Sequence, residues 1–229
     1  TSLLGSVLWT VFRTKEYSPE QYNEFKGLEA VETETVEKET MLQKLAGFWG
    51  LLKASPKIMK QLAVVQFFSW FSLFIMWTYL PAALTQHTWA VGLNWFDPAF
   101  LANNVVPDAI ASAKGAAGDW VGILYAAQAV FSVVFTFFLS KLADKYGRKL
   151  VYSMSLLAGG LGYISMVLFT DPTLVHVNLL ITEVTVPQGA VGIVLSMIGV
   201  GIAWAAILAM PYAILAGALP ADKTGVYMG

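Results

Sequence analysis

The sequence predicts an all-α, polytopic helical membrane protein, and three observations predict it. Of 229 residues, 57% are hydrophobic and only 13% charged, a balance well outside that of soluble domains. Asp, Glu, Lys and Arg are absent from 61–96, Trp120–Ser140, Leu150–Thr170 and Val184–Ala221. A helix rises about 1.5 Å per residue, so roughly 20 apolar residues cross a hydrocarbon core of about 30 Å. Each stretch is long enough, and none has the polar outer face that a soluble helix needs. The third observation is charge: threading four crossings through these stretches puts 13 of the 14 Lys and Arg on one side.

The elements follow in chain order. Thr1–Phe12 is uncharged but reaches only about 18 Å as a helix, and it reads as the end of a transmembrane helix begun further upstream. Residues 13–60 hold eight Glu among Lys and Thr, too polar for a core. Within them Met41, Leu42, Leu45, Phe48, Trp49 and Leu52 recur at helical spacing. That pattern suggests an amphipathic helix along the membrane interface, in a linker between groups of spans. Ser55-Pro56 reads as an N-cap with proline at the first helical position. The bundle, 61–229, then has helices at about 61–84, 119–140, 150–170 and 190–215. Between the first two, 85–118 reads as an outer loop whose Trp89, Trp95 and Phe96 suit interfacial anchoring. The stretch 171–189 reads as a second outer connection.

Lys and Arg stay in cytoplasmic segments because translocating them is unfavourable. The alternation therefore predicts a multi-pass protein of a cell (plasma or inner) membrane, with 13–60, 141–149 and 220–229 cytoplasmic. The lipid bilayer is a partner by composition alone. Cysteine is absent, which excludes disulfides and thiol-based metal or redox chemistry. No Walker loop, paired carboxylates or Ser/His/Asp constellation occurs, so neither an ATP-driven pump nor a hydrolase is supported. No cofactor, metal or nucleic-acid partner is expected.

The most specific motif is Ser140-Lys-Leu-Ala-Asp144-Lys-Tyr-Gly147-Arg148-Lys149. A short turn between antiparallel helices needs positive φ, which Gly147 supplies without a Cβ penalty. Asp144 can accept hydrogen bonds from the next helix's N-terminus or pair with Arg148, and such a pair could latch helices in one conformation. A basic cytoplasmic turn with no such role is the alternative. The run resembles the signature loop of the major facilitator superfamily, G-x-x-x-D-[RK]-x-G-R-[RK], with Ser140 where the first Gly is usual. Gln61–Phe71, Trp77-Thr-Tyr79 and Trp204–Leu215 further resemble its sucrose/maltose-type and glycoside cation symporters. The resemblance covers nearly the whole chain. It implies a partial major-facilitator bundle running from the end of the family's sixth helix to the start of its eleventh. It also implies a secondary transporter that moves sugars or glycosides by alternating access, coupled to protons, with Asp144, Gly147, Arg148 and Lys149 as a conformational switch loop.

A sugar site needs amides or hydroxyls beside aromatic plates, facing a cavity near the midplane. Gln66, Trp70 and Trp77 share one helix face within about 40°. Tyr125, Gln128 and Ser132 share another. In lipid an outward amide would be left unsatisfied, so both glutamines should point inward, towards either substrate or neighbouring helices. Gly192, Ser196, Gly199, Ala203, Ala206 and Met210 form a stripe suited to close packing. Pro211 should kink or hinge the last helix, and its neighbours Trp204 and Tyr212 could touch substrate. No span has an ionisable residue in its middle, where a proton site is normally found. A coupling carboxylate is therefore expected in helices outside this stretch; Asp119 is the nearest candidate here, but it reads as a capping residue at the outer end of its helix. A transporter of another solute, such as a drug or peptide, and a non-transporting membrane sensor or scaffold are the alternatives.

Overall fold

A computed structural model describes Trp9, Phe12, Arg13 and residues 55–179 and 182–218. The chain divides into two compact units, Thr1–Ala54 and Ser55–Gly229. In the first, Trp9, Phe12 and Arg13 are helical, and the Arg13 guanidinium lies 5.1 Å from the centre of the Trp9 ring. The amphipathic helix expected at 41–52 and the cytoplasmic stretch 220–229 lie outside the described residues.

The second unit is built on four long helices: α1 (Lys57–His87), α3 (Asp108–Tyr146), α4 (Arg148–Met166) and α5 (Gln188–Ala216). Between α1 and α3 come a 3₁₀ turn (Leu93–Phe96) and the one-turn helix α2 (Pro98–Leu101). Helices α1, α3 and α5 are long and apolar enough to cross a membrane by length and composition. Helix α4 has 19 residues, with several Gly and Ser that lower its hydropathy; at about 1.5 Å per residue it still extends close to 30 Å.

Three sequence expectations change in detail. Helix α3 begins at Asp108, eleven residues before the expected start, with Pro107 at its N-cap. Asp119 is therefore an exposed residue inside the helix, not a cap. Its place just before the uncharged Trp120–Ser140 run lets the helix project beyond the apolar layer. Helix α1 has Pro56, not Ser55, as its N-cap residue, without a side-chain capping bond. The stretch 171–189 contains an antiparallel hairpin, β1 (Leu174–Asn178) and β2 (Glu183–Pro187). Its alternation was legible: Val175 and Val177 pair with Val186 and Val184 on the more buried face, while His176 and Thr185 pair on the exposed one. A period of two is what a half-covered ribbon requires.

The small-residue stripe does the packing expected of it. A Cβ built on Gly162 of α4 would lie 2.7 Å from the Ser196 carbonyl oxygen of α5. One on Gly199 would collide with the Ala158 carbonyl. The backbones of α4 and α5 meet there, and the Ser165 and Ser196 hydroxyls share a hydrogen bond of 2.8 Å. Helix α3 joins through Trp120, whose indole N–H donates to the Ala190 carbonyl at 2.8 Å. On its other turns, Gly201 of α5 leaves room for the Gln128 backbone. Helix α1 contributes Leu73, Met76, Leu80 and Leu84 to the core at helical spacing. Its Phe67, Phe68, Phe71 and Phe74 remain more than half exposed.

Candidate functional site

The candidate site lies where α1 meets α5, and it starts with a proline. Pro211 has no N–H, so the carbonyl four residues earlier loses its helical donor. That carbonyl belongs to Ile207. The Gln66 side-chain amide of α1 donates to it at 3.3 Å, and the Tyr152 hydroxyl of α4 donates back to the Gln66 oxygen at 2.8 Å. Helix α5 runs through Pro211 as one helix, its missing hydrogen bond replaced by one from α1. Of these partners the sequence pointed to Gln66 and Pro211. Tyr152 was missed, because nothing in a periodic apolar run distinguishes a buried tyrosine with a partner from one without.

Further along the same two helices, three indoles meet. Trp70 and Trp77 of α1 have ring centres 6.4 Å apart, and Trp204 of α5 sits 5.9 Å from the first and 5.8 Å from the second. All three pairs are edge to face, the arrangement favoured by the ring quadrupole. Trp70 and Trp77 are 40% and 41% exposed. With Gln66, Phe67, Phe71 and Phe74 they line an open groove of about 390 Å³. The structure thus gathers four expected residues, Gln66, Trp70, Trp77 and Trp204, in one place. The groove can offer aromatic edges and faces, one spare N–H and one spare lone pair on Gln66.

Tyr125 and Gln128 stand apart on α3. Gln128 is buried in the α3–α5 contact. The Tyr125 hydroxyl is enclosed and unpartnered. No hydrogen bond or ring contact joins either side chain to the tryptophans among the described residues. Tyr212, next to Pro211, is 62% exposed and takes no part.

At the N-terminal end of α4, Gly147 turns the chain with φ +89°, as its place in the motif required. Among the described residues, the expected partners of Asp144 are not observed. Helix α4 has Gly147 as its N-cap residue and no side-chain capping bond. Arg148 reaches away from Asp144 and donates through Nη1 to the Ala213 carbonyl of α5. The Ala213 carbonyl already accepts from the Gly217 N–H at 3.3 Å, so the guanidinium adds a second bond there and complements the negative end of the helix. The loop is thereby tied to the C-terminal turn of α5.

Several apolar helices of this length, packed against one another, make this a multi-pass helical membrane protein. Over 70 residues, 31% of the chain, it is 37% identical to the tetracycline resistance protein, class H, of Pasteurella multocida. The chain covers 18% of that protein's length. No family model matches the chain, and no solved structure matches it.

Proposed function

We propose that the chain is part of a major-facilitator-type secondary transporter whose solute is a planar, largely apolar ring system, moved by alternating access. The observation that carries this reading is the edge-to-face cluster of Trp70, Trp77 and Trp204, of which Trp70 and Trp77 line the open groove on α1. Three indoles at 5.8–6.4 Å offer stacking surface with little hydrogen-bonding capacity. Likeness to a tetracycline resistance protein supports a solute with a ring system. The Asp144–Lys149 loop, tied to α5 through Arg148, supplies the switch: α5 carries both the Trp204 ring that packs against the two groove indoles and the carbonyl that holds the loop.

A sugar or glycoside, carried with a proton, is the second reading. It is favoured by the spare N–H and lone pair of Gln66 beside indole faces. The test is competition in cells expressing the full-length protein. Tetracycline accumulation should change on expression, and Trp204→Ala should reverse that change about tenfold, the loss of one to two edge-to-face contacts with solute or indole. A disaccharide that moves while tetracycline does not would decide for the second reading. Variants of Trp70, Trp77 and Trp204 that transport either solute as the parent does would remove the site.

A further inference from the structure

We propose that the cytoplasmic end of the bundle binds one anionic phospholipid, with its phosphate at Lys149 and an acyl chain in a slot between α1 and α4. The argument needs only the membrane placement, not the solute. Two hollows meet at this end. The inner one, about 230 Å³, has apolar walls that include Leu62 and Val65 of α1 and Leu156 of α4. The outer one, about 570 Å³, opens beside Tyr146, Arg148 and Gly217. Ile58, Lys149 and Ile214 line both, so the two form one groove with Lys149 at the junction.

The groove is amphipathic along its length: mostly apolar inside, with Gln61, Tyr152 and Ser153 also on its walls, and cationic at the mouth. Residues 141–149 carry four cations and a single carboxylate, Asp144. Among the described residues Lys149 has no hydrogen-bond or ion-pair partner. Arg148 uses Nη1 on Ala213 and keeps its other donors. An unpaired ammonium beside an apolar slot, on the side where Lys and Arg accumulate, complements an anionic headgroup with its chain attached. Basic pockets between membrane helices on the cytoplasmic face bind such lipids. A free anion would leave the slot unfilled, and a neutral lipid would leave the charge unanswered.

The full chain, purified in detergent and stripped of lipid, would be titrated with phosphatidylglycerol or phosphatidylcholine and read by native mass spectrometry. One phosphatidylglycerol should bind in preference to phosphatidylcholine. Lys149→Gln should weaken it about fivefold, the value of one basic residue at an anionic surface. Ser153→Phe fills the slot from an exposed position and should weaken binding by at least as much without altering charge. Ser153→Leu serves if the larger ring perturbs folding. Lys141→Gln, in the same loop but outside the groove, should change nothing. Equal losses from Lys141→Gln and Lys149→Gln would mean diffuse surface charge and overturn the proposal. So would unaltered binding in both Ser153 variants, or displacement of the lipid by glycerol phosphate alone.

Discussion

Helices α4 and α5 are joined backbone to backbone, whereas α1 is joined to α5 through its long side chains. In the first contact Gly159, Gly162 and Gly199 have no room for a Cβ. Dispersion and close packing are what hold membrane helices together, because lipid is as apolar as the helix surface. In the second contact Gln66, Trp70 and Trp77 reach across to the Ile207 carbonyl and Trp204, and much of the α1 surface stays uncovered. A contact through long side chains can break and reform by rotamer changes, while one through glycines cannot slide without collision. The comparison predicts where movement occurs: α4 and α5 should move as one body, and α1 should be the helix that shifts against it.

The largest expected effect tests the rigid half. Gly199→Leu should cost about 3 kcal/mol or more, as overpacking does where backbone must yield, and should lower the thermal unfolding temperature in detergent. Gly122→Leu, where a Cβ meets nothing within 4 Å, should change stability by no more than about 0.5 kcal/mol. Equal losses at both positions would erase the distinction.

The polar link comes next. Gln66→Leu strands the Tyr152 hydroxyl and the Ile207 carbonyl and should cost about 2 kcal/mol; Tyr152→Phe, which removes a single donor, should cost about 1 kcal/mol. Because the two share one network, the double variant should be less destabilised than the sum of the singles. Additive losses in a double-mutant cycle would show that the link is not the joint between α1 and the rest.

A smaller effect is expected at the loop. Arg148→Gln removes an exposed contact to Ala213 and should lower stability by less than about 1 kcal/mol. Transport rate should fall more than stability does, measured as solute flux at equal expression. A flux equal to the parent's would leave the turn with a topological role alone.

The smallest effect lies outside the membrane. Asp171 is held below its ordinary pKa by hydrogen bonds from the Thr173 hydroxyl and backbone N–H, the latter at 2.9 Å. A depressed carboxylate stabilises the fold above its unfolded pKa, and that contribution disappears as pH falls through the folded value. Thr173→Val should raise the Asp171 pKa part of the way to normal, as seen by NMR titration of the carboxyl carbon. An unmoved titration would assign the shift to the backbone alone.

Much of this architecture was legible in residue order. The charge-free runs located all four long helices, because apolar length is a one-dimensional property. Gly147 marked its turn, because only glycine adopts positive φ without strain. The stripe through Ser196, Gly199 and Ala203 announced a close helix contact. The hairpin at 174–187 was written in alternating valines but went unread, since so short a segment between spans passes for a loop. Asp119 was misplaced because a helix can continue past the apolar layer into water, where hydropathy no longer marks its end.

What no linear reading supplied is which polar groups meet. Gln66 was expected to face inward, but only the packing of three helices brought it between the Ile207 carbonyl freed by Pro211 and the hydroxyl of Tyr152. Trp70 and Trp77 were seven residues apart in the sequence and on one face by periodicity; Trp204, more than a hundred residues away, joined them through the approach of α1 to α5. Arg148 chose Ala213 over Asp144 for the same reason. Sequence period fixes the direction of a side chain on its own helix, whereas the partner it finds depends on the relative placement of helices, which is decided by the sum of all their contacts.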